Sequence, residues 1–111
     1  MIWTVNRSKN NLHYSEATRI GDFWLLLSYP GRIGPLGVVR PKSVQWSVCH
    51  YPLVGEFRPL VRYRGDAKNI DDAKTESVEA AIQCLEDQKK RGMFIGKLIE
   101  NAKDWLSGEK K

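Results

Sequence analysis

The chain has 111 residues, about one domain, and 41% of them are apolar, with four tryptophans among them. That composition argues against intrinsic disorder and leaves room for one modest core. The formal charge is +5, two cysteines are too few for a disulfide framework, and no apolar run approaches the ~20 residues that span a bilayer.

In chain order, residues 2–7 alternate and place Trp3 and Val5 on one face of a first strand. Ser8 to Asn11 is a polar turn cluster, and Leu12 and Tyr14 open a return strand. After a turn at Ile20-Gly21-Asp22, the dense apolar run Phe23 to Tyr29 predicts a central strand. Pro30 to Pro41 holds three prolines and three glycines, a density that neither a helix nor a central strand tolerates. It is expected to be a long, mobile hairpin connection.

The period-2 pattern is cleanest next, with Val44, Trp46, Val48 and His50 on one face and Gln45, Ser47, Cys49 and Tyr51 on the other. Pro52 to Gly55 turns the chain into a last strand, about Phe57 to Arg64. The period then changes. Asn69 is placed to cap a helix over 70–91, with Asp71 and Asp72 in its first turn and Lys89, Lys90 and Arg91 in its last. Gly92 stops or kinks it. A second helix over 93–106 carries the stripe Phe94, Ile95, Leu98, Ile99, Ala102, Trp105 and Leu106. The expected fold is α+β: a single domain over 1–111, with an antiparallel sheet of four to five strands (about 2–64) followed by two C-terminal helices.

Several enzyme-like patterns fail on their own terms. The glycines of 31–37 resemble a phosphate loop, but Val38-Val39-Arg40-Pro41 cannot start the helix such a loop requires. Cys49 and His50 are adjacent on a strand, so their side chains point to opposite faces and cannot act as nucleophile and base. Cys49, Cys84, His13 and His50 lack metal-ligand spacing. The acidic pairs Asp72–Glu76 and Glu76–Glu79 sit off the apolar stripe of their helix. No catalytic residue, cofactor or metal is expected.

The positive charge is localised. Residues 1–68 hold ten Lys/Arg against four Asp/Glu, a net of +6, whereas residues 69–111 hold eight against nine, a net of −1. Arg58, Arg62 and Arg64 alternate along the last strand and are expected on one face, near Trp46, Tyr51, Phe57 and Tyr63. Arginines beside aromatic faces suit single-stranded nucleic acid, though no known nucleic-acid motif accompanies them. The second helix has two readings: its stripe caps the core, or its end, Trp105 and Leu106, buries against a second copy or another protein.

Gly65-Asp-Ala-Lys-Asn-Ile-Asp-Asp-Ala-Lys74, followed by Val78 and Ala80-Ala81, resembles a segment of small phage and prophage proteins. Those proteins begin with a Trp-containing strand (here Met1 to Val5), continue through antiparallel strands with a second tryptophan (here Trp46), and enter a helix through such a segment. The resemblance covers about residues 1–88 and implies a context: those with known roles often bind and inhibit a host protein. It transfers no functional residue. The first expectation is therefore a non-enzymatic binding protein that docks on a host protein or defence complex. Arg32, Ile33, Leu36 and Arg40 of the proline-rich connection, Arg58, Arg62 and Arg64 of the last strand, and Trp105 are its partner-binding residues. Nucleic-acid binding by the basic sheet face is the alternative, and a small enzyme a third. Met1 to Val5 lacks a signal-peptide layout, so a cytoplasmic location is expected, that of the host cell if the protein is phage-encoded.

Overall fold

The computed structural model describes residues 1–7, 13–40, 42–50, 60–92 and 94–109. Five strands form one antiparallel sheet: β1 (Thr4–Arg7), β2 (His13–Ile20), β3 (Phe23–Pro30), β6 (Val44–His50) and β7 (Leu60–Ala67), in the spatial order β1-β2-β3-β6-β7. Between β3 and β6 the chain forms a separate two-stranded ribbon, β4 (Arg32–Gly34) and β5 (Gly37–Val39). Two helices follow, α1 (Ile70–Lys90) and α2 (Gly96–Asp104), the latter closing in a π-helical turn, Trp105–Glu109. The architecture is α+β, as expected.

The sheet buries one face. Ile20, Phe23, Leu25, Leu27, Val44 and Val48 point towards α1, whose Ala73, Ser77, Val78, Ala81, Ile82, Cys84 and Leu85 complete the core. Ala73, Ser77, Val78, Ala81, Ile82 and Leu85 recur at helical spacing, and Cys84 joins them on the same face. Asn69 caps α1 as expected: its side-chain oxygen accepts from the Asp72 backbone N–H at 2.8 Å. Gly92 stands at φ +93°, a left-handed conformation that ends the helix instead of kinking it.

The second helix begins at Gly96, later than the expected Met93, and Ile95 gives it no side-chain cap. Its stripe is spent inside the chain. Ile99, Ala102 and Trp105 are buried, and Ile95, Leu98 and Leu106 pack against the same cluster, while Phe94 is left fully exposed. Trp105 is 5% exposed, with its ring centroid 6.1 Å from that of Trp3. It is thus a core residue and not an exposed contact: closing the sheet's apolar face at the β1 side takes a large ring that α1 alone does not supply.

Glu16 and Thr18, buried on the helix side of the sheet, are both partnered, whereas Trp3 Nε1 and Trp46 Nε1 are buried without a hydrogen bond. Glu16, 3% exposed, accepts from the Tyr14 hydroxyl at 2.7 Å and pairs with Lys74 Nζ at 2.9 Å. The Thr18 hydroxyl donates to the Ile2 carbonyl at 2.7 Å. Lys74 Nζ also stands 5.3 Å from the Trp3 ring centroid, a cation–π distance. Burial, then the hydrogen bond to Glu16, pushes the Tyr14 hydroxyl up to about 12. No described helix is long and apolar enough to cross a membrane.

Candidate functional site

The proline-rich connection is an ordered finger. Arg32 pairs with Val39, Ile33 with Val38 and Gly34 with Gly37, leaving Pro35-Leu36 as a two-residue turn. Its prolines fit because they fall where no ladder donor is required: Pro30 ends β3 and Pro35 sits in the turn. Pro41 lies outside the described residues. β4 and β5 pack chiefly on each other. Ile33 is 77% exposed and Leu36, at the tip, 102%; Val39 is exposed too. Arg40 buttresses the base: its Nη1 donates to the Tyr29 carbonyl at 2.8 Å and its guanidinium stands 5.1 Å from the Tyr29 ring centroid. The Arg32 side chain lies outside what the structure describes. From Phe23 to Gly55 the chain has three cationic residues, Arg32, Arg40 and Lys42, and no Asp or Glu.

Among the described residues, no helix covers the face of the sheet opposite α1. Its cross-strand rows follow from the register: Arg19–Trp24–Cys49–Val61, then Ala17–Leu26–Ser47–Arg64, then Ser15–Ser28–Gln45–Asp66. Leu26 and Val61 are exposed, and Arg19 reaches over the Trp24 ring at 5.9 Å. Leu26, Ser28, Ser47, Val61 and Arg64 border a shallow depression of about 460 Å³. Sequence reasoning missed this face because Phe23 to Leu27 is apolar throughout. The signal was the pleat itself, which must send Trp24 and Leu26 away from Phe23, Leu25 and Leu27.

Arg62 and Arg64, expected on one face, are on opposite sides of the sheet. Val48 pairs with Tyr63 and Cys49 with Val61, so Arg62 is an extra residue, a β-bulge. The bulge breaks the alternation between Arg62 and Arg64. Arg64 borders the open face, whereas Arg62 joins His50, Cys84 and Asp87 on the helix side. Arg58 lies outside the described residues. β7 is also an edge strand, and both the bulge and the arginines blunt it against accidental pairing.

Cys49 and His50 diverge as the pleat requires. Cys49 Sγ lies 3.9 Å from Ser47 Oγ, while the His50 ring stacks on Phe23 at 4.9 Å between centroids. Both cysteines are free and buried. Burial pushes the Cys84 thiol up, with the Arg62 charge opposing. Among the described residues, no group of three or more His, Cys, Asp or Glu side chains could hold a metal ion.

No family model matches this chain, and neither a curated protein nor a solved structure does.

Proposed function

We propose that this is a non-enzymatic binding protein that docks on a protein partner through the β4–β5 finger, with the open sheet face as supporting surface. The observation that carries the reading is the finger: an ordered ribbon with two bare aliphatic side chains at its end, in a stretch of sequence without acids. A preformed hairpin costs little ordering entropy on binding, and burying one aliphatic anchor contributes about 2 kcal/mol. The matching partner surface is an apolar socket with an acidic rim. The resemblance to small phage and prophage proteins supports a host protein or defence complex as the partner, met in the host cytoplasm. Nucleic-acid binding is the weaker reading, because Arg62 and Arg64 leave the strand on opposite sides.

The test is affinity capture from a host lysate followed by titration of the recovered partner. Ile33→Asp with Leu36→Asp is expected to weaken binding at least about 100-fold, the loss of two anchors. A partner held equally well by that double variant would refute the finger. A complex with DNA or RNA that loosens by orders of magnitude between ~50 and ~200 mM salt would favour the nucleic-acid reading instead.

A further inference from the structure

At the carboxyl end of α1, where the helix overhangs the end of the sheet, His50, Arg62, Tyr63, Cys84, Asp87 and Arg91 line a cleft of about 290 Å³. That is near the lower end of the roughly 300–1,000 Å³ of small-ligand sites. It is distinct from the finger, and its polar groups have no part in the proposed docking.

Three observations converge on it. Arg62 is there because of the bulge: regular alternation from Arg64 would have sent it to the open face. Bulges are over-represented beside functional sites, where they re-aim a side chain. His50 Nδ1 is buried and has no hydrogen-bond partner, although its ring is held by stacking on Phe23 at an interplanar angle of 27°. Nδ1 itself lies out of reach of the cleft, so the ring serves there as a fixed wall. The charged lining is two guanidiniums against one carboxylate, a net positive charge that the negative end of the α1 dipole offsets only in part, so an anion is favoured where both guanidiniums reach it. The Cys84 thiol keeps its proton beyond the usual thiol range, so it acts here as wall and not as nucleophile.

We infer that this cleft binds a small oxyanion, a carboxylate or phosphate ester, carried on a flat apolar body. Arg62 and Arg91 hold the charged end, guanidinium being suited to paired bonds with either group. Tyr63 and the His50 ring, itself stacked on Phe23, flank the body.

The experiment is a titration of the full chain with benzoate, phenyl phosphate and neutral benzyl alcohol, followed by NMR at the His50 ring and the Arg62 side chain. At least one of the two anions is expected to give saturable shifts at both residues at millimolar concentration, and whichever does so assigns carboxylate or phosphate. Arg62→Ala is expected to weaken that binding at least about ten-fold, the loss of a charge-assisted bond, while Arg64→Ala leaves it unchanged. Arg62 is exposed, so its loss leaves the core intact. Absence of saturable shifts with both anions would overturn the inference. So would equal binding of benzyl alcohol, or equal weakening by the two arginine variants, which would mean diffuse charge attraction.

Discussion

Glu16 lies beneath α1 with two partners, the Lys74 ammonium and the Tyr14 hydroxyl. Removing one partner of a buried pair leaves the other charge uncompensated, which costs about 3–5 kcal/mol, whereas removing both charges together is often close to neutral. Lys74→Met is therefore expected to lower unfolding stability in urea by about 3 kcal/mol, near the low end because Lys74 is 21% exposed and Tyr14 remains. Glu16→Gln combined with Lys74→Met should recover most of that loss. A single Lys74→Met variant within about 0.5 kcal/mol of the parent would mean that the pair is not coupled. Tyr14 supplies a pH signature of the same cluster. Its hydroxyl holds its proton to about 12 in the folded chain, against 10.0 as its ordinary value. Below pH 10 both states are protonated and the group adds no pH dependence. Between about pH 10 and 12 the unfolded chain loses the proton first, so stability falls as pH rises. The urea midpoint should accordingly fall more from pH 9 to pH 11 in the parent than in Tyr14→Phe; equal falls would contradict the raised value.

At the scale of elements, the order of strands and helices was legible because each has its own punctuation. α1 carried an Asn cap, acids at its start, bases at its end and a left-handed glycine beyond it, and each acts as its chemistry predicts. The start of α2 was illegible because Ile95 offers no capping side chain to mark it. β7 was misjudged in two ways. It runs on to Ala67, since Val44, Gln45 and Trp46 need partners, and although Pro59 suggests an edge or a bulge at its start, nothing in the sequence puts the bulge at Arg62. Gly65 in that strand has a purpose of its own. A Cβ placed there would stand 2.7 Å from Trp46 Cζ2, inside contact distance of a ring that packs against the core. Gly65→Ala is expected to destabilise by about 1–3 kcal/mol, as overpacking does. For a domain of this size that lowers the thermal midpoint by roughly 4–8 °C per kcal/mol. An unchanged midpoint would show that Trp46 moves aside freely.

Across the whole molecule, a single helical layer covers one face of a five-stranded sheet, and the shortest dimension, 20 Å, is what two such layers occupy. The radius of gyration, 15.4 Å, exceeds the ~13 Å of a compact chain of this length. That excess suits a flat body with a ribbon extending from it. Half of the candidate site was visible in the sequence: Ile33 and Leu36 stood out as apolar residues in a turn-rich segment, and they are bare in the fold. Trp105 went the other way, because a stripe on a terminal helix does not reveal whether the sheet has room for it; here it does, beside Trp3. The cleft at His50 was hidden for a third reason. It joins Cys84, His50 and Arg62, which are far apart in the chain, whereas adjacency in sequence suggested Cys49.

The finger is the central claim, and contact from its tip tests it most directly. A photoreactive amino acid placed at position 36, and in a second chain at the equally exposed position 94, allows crosslinking in host cells. The account predicts crosslinks from position 36 to one protein and none to that protein from position 94. Crosslinks from position 36 to nucleic acid alone, or to no macromolecule while position 94 labels a protein, would contradict it.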